Sequence, residues 1–206
     1  MNQIEILKDN LKEVLVNYNF NLLHGRTNEL TLEISSDQWL DICNILKLDN
    51  SLYFETCIDL CAVDYLSWGK SSVHDGNTVP EGRRFAVVIH VLSIVNNWRL
   101  RVRTWAKEND LPVIPSLINC WPSVNWFERE AFDLFGIVFH GHKDLRRIIT
   151  DYGFVGYPFR KDFPLSGNVE MHYDESLKKV VYKEVSIDTR EITPRVIREN
   201  SYGLEL

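Results

Sequence analysis

Three carboxylates, Glu128, Glu130 and Asp133, stand within one short stretch, and clustered carboxylates are common equipment for acid–base chemistry. Arg129 stands among them, and neither a histidine nor a nucleophile shares the stretch, so ion pairing inside or between proteins is the stronger reading. Downstream, His140 and His142 flank Gly141, with Asp144 close by. Such a pair ligates a metal when a strand presents both rings on one side, but no cysteine or Glu-x-x-His motif completes a ligand set. Two basic pairs follow, Arg146-Arg147 and Arg160-Lys161. Neither belongs to a phosphate-cradling GxxxxGK[ST] loop or to an RNA-binding signature. With a net charge of -6 on the whole chain, a broad nucleic-acid clamp is excluded, and no nucleic acid is expected as a partner. Acidic residues at Asp144, Asp151 and Asp162 alternate with the basic pairs, a pattern suited to charge-paired docking on another protein.

These residues fall within one segment, 126–167, that starts as a charged, aromatic helix and then loses all periodicity. Its middle, YGFVGYPFRKDFP, fits neither a helix nor a sheet ladder and reads as an extended strap. A strap of this kind needs a second protein to satisfy its backbone and to cover Phe154, Tyr157, Phe159 and Phe163.

The elements that must position the segment can be read from the preceding residues. Ile4, Leu7, Leu11, Leu15 and Tyr18 share helical spacing over residues 4–18. Residues 29–34 (ELTLEI) alternate strictly and predict a half-buried strand. Ser35 and Gln38 read as a capping box opening a short helix to Lys47. Residues 53–63 predict a strand, and the polar, Gly- and Ser-containing stretch 67–82 predicts a loop. Phe85 to Val95 and Trp98 to Val102 form two β runs about a two-residue Asn96-Asn97 turn, placing Arg99, Arg101 and Arg103 on one exposed face, solvated in the plainer reading and partner-binding in the other. After a Pro-broken stretch, 111–122, a helix over 123–135 is closed by Gly136. At about 100° per residue, Phe127, Ala131, Leu134 and Phe135 face the sheet, while Arg129 and Asp133 lie at i,i+4 on the far side where they can pair. A last hairpin joins Val169–Tyr173 to 179–185. The expectation is an α+β fold: a two-layer domain with a mixed or antiparallel sheet flanked by helices over 1–139, then an extended C-terminal docking tail with a short hairpin over 140–206.

At 206 residues, 45% hydrophobic and 25% charged, the chain can bury a core without staples. No CxxC pair occurs among Cys43, Cys57, Cys61 and Cys120, which read as free, buried thiols of a reducing compartment. No signal peptide is visible at the N-terminus and no run approaches the roughly 20 apolar residues of a membrane span, so membrane association is expected only through other subunits.

The segment resembles the C (30 kDa) subunit family of proton-translocating NADH:quinone oxidoreductase, respiratory complex I. The match runs through Glu128-Arg129-Glu130, Asp133-Leu134-Phe135-Gly136-Ile137, His142, and Asp144-Leu145-Arg146-Arg147-Ile148. It continues through Thr150-Asp151-Tyr152-Gly153-Phe154, Gly156, Pro158 and Arg160-Lys161-Asp162-Phe163-Pro164-Leu165. Milder similarity at Ile58-Asp59-Leu60, Val63-Asp64-Tyr65 and 85–105 extends it over most of residues 50–185. The family usually has Pro at Lys143, His at Tyr157 and Leu at Phe159, departures that bear on local loop shape. The resemblance implies a structural subunit without catalytic residues, wrapped by its C-terminal extension onto neighbours in the hydrophilic arm, chiefly the 49 kDa (D) subunit near the quinone site. It implies no cofactor on this chain, with FMN, iron–sulfur clusters and quinone in the assembled complex, on the cytoplasmic side of a bacterial inner membrane. Its motif residues Glu128, Arg129, Glu130, Asp133, Gly136, His142, Asp144, Arg146, Arg147, Asp151, Arg160, Lys161 and Asp162 would then serve the subunit interface. Two other readings are the equivalent subunit of a membrane-bound hydrogenase, and a free-standing metal enzyme using His140, His142 and Asp144.

Overall fold

The computed structural model describes residues 3–25, 29–66 and 82–187. The expected 67–82 loop, apart from Gly82, and the end of the tail at 188–206 lie outside these residues. Helix α1 spans Gln3–Val14 and buries Leu7 and Leu11, with Leu15 just beyond it, so the i,i+4 stripe becomes its inner face. The chain turns into β1 (Phe20–His24), which pairs antiparallel with β2 (Leu30–Ser35). Helix α2 (Trp39–Leu48) follows, with Trp39, Ile42, Cys43 and Leu46 buried. Strands β3 (Thr56–Asp64), β4 (Phe85–Ser93) and β5 (Trp98–Trp105) complete a five-stranded sheet ordered β1-β2-β5-β4-β3. All its neighbours are antiparallel except β2 and β5, so the sheet is mixed and the fold is α+β as expected.

Register explains the core. Leu22, Leu32, Val102, Ile89 and Leu60 are cross-strand partners in one row over all five strands. The inner faces of the sheet and the three helices share one cluster that includes Leu11, Trp39, Phe54, Phe85 and Val124. On the opposite face, Glu33 pairs with Arg103 across β2 and β5. Arg103 is only 2% exposed; its Nε donates to Glu33 Oε2 at 2.8 Å, and Trp105 Nε1 donates to the same oxygen at 3.0 Å. The solvated arginine row expected from β5 therefore ends at Arg101, because the third arginine is taken up by a carboxylate on a strand distant in sequence.

Other local expectations are also revised. Ser93 pairs with Trp98, so the β4–β5 connection is a four-residue turn over 94–97, with Asn97 at φ 51, rather than a two-residue one. Gln38 precedes α2 in helical geometry and makes no side-chain cap bond, so the Ser35–Gln38 box does not form. Strand β1 was not expected, since its half-exposed pattern lacks alternation. Nor were the three-residue strands β6 (Val113–Pro115) and β7 (Val138–His140), which pair in parallel on either side of helix α3 (Val124–Phe135).

The chain falls into two compact units, Met1–Phe163 and Pro164–Leu206. The second holds the hairpin of β8 (Val169–Asp174) and β9 (Lys179–Glu184), turned where Asp174 Oδ1 accepts the Ser176 and Leu177 amides at 2.8 and 3.0 Å. Its cross-strand pairs place Val169, Met171, Tyr173, Val180 and Tyr182 on one exposed face.

Candidate functional site

Helix α3 buries two of its carboxylates completely. Glu128 and Asp133 are each 0% exposed, and each organises a different piece of irregular chain. A carboxylate without water must be met by donors, and those donors decide which segments pack here.

Asp133 is met by the segment after the helix. Its Oδ2 accepts three consecutive amides, Ile148 at 3.0 Å, Ile149 at 2.7 Å and Thr150 at 2.9 Å. Its Oδ1 accepts the Thr150 hydroxyl at 2.6 Å and Arg147 Nη1 at 3.3 Å. Three successive amides closing on one anion form a nest, filled here by the protein's own carboxylate. Burial pushes the Asp133 carboxyl up, but the bonds from Thr150, Ile149 and Ile148 together outweigh it and hold the group below its usual value. The expected Arg129–Asp133 pair does not form. Arg129 instead donates Nε to the Arg146 carbonyl at 3.2 Å and lies 4.8 Å from the Trp126 ring centre.

Glu128 faces the other way. Ser116 Oγ lies 2.6 Å from its Oε2, and the Leu117 amide donates to Oε1 at 2.7 Å. Burial lifts Glu128 to about 7 against the opposing pull of the Ser116 and Leu117 bonds. His142 Nε2 lies 3.9 Å from Oε2.

The strap closes on the same helix. Gly136 caps α3 at φ 74, and a Cβ there would meet the Tyr157 ring at 2.6 Å and Arg160 Nη2 at 2.7 Å, so glycine is needed for both conformation and space. The Phe159 amide donates to the Leu134 carbonyl at 3.0 Å and Arg160 Nε to the Phe135 carbonyl at 2.7 Å, so the strap satisfies the open carbonyl end of α3. Arg147 Nη2 donates to the Gly156 carbonyl at 3.0 Å. Phe135 meets Phe159 edge-on, and Phe154 stacks on Phe163. Much of the expected demand for a second protein is therefore met from within the chain.

A further clamp escaped the sequence reading. Arg84 forks onto two carboxylates, donating Nε and Nη2 to Asp64 at 2.9 and 2.7 Å and Nη1 and Nη2 to Asp162 at 3.0 and 2.9 Å. Asp64 also accepts the Lys161 amide at 2.9 Å. Burial raises the Asp64 carboxyl, but the bonds from Arg84, Lys161 and Leu66 outweigh it and leave the group lowered. Arg84 stands 78 residues from Asp162, so spacing carries no sign of the clamp.

The motif residues thus separate by environment. Glu128, Arg129, Asp133, Gly136 and the His142 side chain are enclosed, while Arg147, Arg160 and Asp162 are bonded within the chain. Glu130, Asp144, Arg146, Asp151 and Lys161 are exposed, with Arg146 Nε 3.1 Å from Asp144 Oδ2. Beside them Trp126, Ile149, Tyr152, Val155 and Phe159 are exposed large apolar side chains, Val155 at 82%. His140 is exposed, and His142 Nδ1 accepts the Asp144 amide at 3.0 Å, so the imagined His140, His142 and Asp144 ligand set is not brought together. Among the described residues no group of three or more His, Cys, Asp or Glu could hold a metal ion, and no helix is long and apolar enough to cross a membrane.

Residues 32–169 match the family described as "Respiratory-chain NADH dehydrogenase, 30 Kd subunit". The chain is 61% identical to the C subunit of the NADH-quinone oxidoreductase of Bordetella petrii over 207 residues, covering 99% of this chain and 98% of that one. It is 58% identical to the protein of the same name in Bordetella pertussis, at 99% and 98% coverage, and 54% identical to that of Burkholderia mallei, at 98% and 96%. A chain in the structure of an archaeal membrane-bound sulfane sulfur reductase complex shares the fold, with a TM-score of 0.59 and 24% identity over 78% of this chain and 85% of that one. With its motif shaping the end of α3 and the strap that follows, and with relatives matched along nearly its whole length, the chain belongs to the 30 kDa subunit family of the respiratory-chain NADH dehydrogenase.

Proposed function

We propose that this chain is a non-catalytic scaffold in the peripheral arm of a proton-translocating NADH:quinone oxidoreductase. It docks on neighbouring subunits, chiefly the 49 kDa (D) subunit near the quinone site, on the cytoplasmic side of the membrane. The observation that carries the reading is the pinning of the strap from beneath by Asp133, Arg84 and the end of α3, while Ile149, Tyr152, Val155 and Phe159 face outward. An apolar patch held rigid and rimmed with charge is suited to a protein partner, because its ordering is complete before binding. In this arrangement Glu130, Asp144, Arg146, Asp151 and Lys161 meet the partner, and the enclosed motif residues shape the surface from within. FMN, iron–sulfur clusters and quinone belong to the other subunits.

Relatives more than half identical over nearly their whole length bear the name of the C subunit of NADH-quinone oxidoreductase, which favours this reading over the hydrogenase alternative. The test is Arg146→Glu in the native organism, with assembled complex measured on native gels and NADH:quinone turnover measured per assembled complex. Less complex with unchanged turnover is expected. Normal assembly with a selective loss of turnover would overturn the scaffold reading in favour of a direct role at the quinone site.

A further inference from the structure

His142, at the root of the strap, is a buried proton donor with two acceptors within reach. Its side chain is fully shielded. An amide nitrogen can only donate, so the Asp144 amide 3.0 Å from Nδ1 fixes Nδ1 as the acceptor and leaves the single N–H of the neutral ring on Nε2. That N–H is 3.3 Å from the Asn125 carbonyl oxygen, at the long end of hydrogen bonding. Glu128 Oε2, equally shielded, lies 3.9 Å from the same nitrogen.

The surroundings of Glu128 give its two protonation states different needs. Ser116 Oγ accepts the Ile118 amide at 3.2 Å and sits 2.6 Å from Oε2. Ser116 Oγ donates to that oxygen, and once Glu128 is ionised the fully buried carboxylate calls for a further donor beside it. His142 Nε2–H is the donor at hand.

We propose that ionisation of Glu128 draws the His142 N–H from the Asn125 carbonyl to Oε2, and that the turning ring moves the Asp144 amide with it, making the root of the 141–163 strap responsive to pH. The released proton goes to solvent. The other titratable groups around the pair are few. On β3 stands Cys57, pushed up to about 12 by burial first, with Asp59 and Glu128 among the lesser contributors. Beyond the ring stand the exposed Asp144 and Arg146, paired with each other, and the 116–118 segment presents only Ser116. Burial places the Glu128 transition near neutral pH, at about 7. The switch lies inside this chain and does not depend on which complex holds it.

Amide shifts in the 15N-labelled full chain, followed from about pH 5.5 to 8.5, read both ends of the switch. Leu117 reports Glu128 directly, and Asp144 reports the ring. In the wild type both amides should move with one shared midpoint. In Glu128→Gln both transitions should vanish. In His142→Gln the Leu117 transition should persist while that of Asp144 is lost, so the idea stays testable even where Glu128→Gln does not fold. An Asp144 transition that survives Glu128→Gln or His142→Gln, or a wild-type Leu117 amide without a midpoint, would overturn the proposal.

Discussion

Removing Asp133 would strand three amides, a hydroxyl and a guanidinium at once. Losing one partner of a buried charged network costs about 3–5 kcal/mol, so Asp133→Ala should lower Tm by roughly 10 °C in thermal unfolding of the full chain. Arg147→Glu should act through the same loop, whereas Arg146→Glu, its side chain 71% exposed, should leave Tm nearly unchanged. Glu128 gives the opposite sign of pH dependence to an ordinary salt-bridged acid. Its folded value of about 7 lies above the ordinary glutamate value of 4.5, so the fold favours the protonated form. The stability it contributes is complete below 4.5 and is lost as pH rises through about 7. The full span is about 3 kcal/mol, and Glu128→Gln should flatten that part of the profile in urea unfolding between pH 4.5 and 8. In the sequence Glu128, Glu130 and Asp133 look alike. Nothing in the spacing revealed that Asp133 would be enclosed, because its donors come from a loop with no periodicity of its own.

At the scale of elements, α3 was legible: its bounds, its apolar face and its glycine cap follow from 3.6-residue periodicity and from the need for a left-handed residue at Gly136. The strap that packs against its end was legible only as something extended. Gly136→Ala tests that packing. Strain at φ 74 and the collision with Tyr157 and Arg160 should together cost about 2–4 kcal/mol, and limited proteolysis should open the 141–163 segment before the rest of the domain. Cleavage spread evenly over the chain would mean that Gly136 does not hold the strap. The short β6–β7 pairing was hidden because three residues with prolines nearby carry no strand signal. Strand β1 was hidden because its half-buried residues, Phe20, Leu22 and Leu23, do not alternate with polar ones as a strand's usually do.

Across the whole molecule, the fold class followed from the order of helices and strands, while the clamp of Arg84 on Asp64 and Asp162 depended on contacts that only the folded chain creates. The exposed apolar side chains of the strap should make the isolated chain self-associate. Tyr152→Ser with Val155→Ser should shift it toward monomer in analytical ultracentrifugation while leaving its Tm within about 2 °C, since both residues lie outside the core. The parallel pairing of β2 with β5 also governs the order in which the domain can be made. Glu33 and Arg103, bonded across these strands, stand 70 residues apart. During synthesis the β1–β2 hairpin must therefore wait, with the outer edge of β2 open, until the ribosome has released β5. The interval before β5 emerges is when the nascent chain most needs a chaperone, well before any partner subunit can cover the strap.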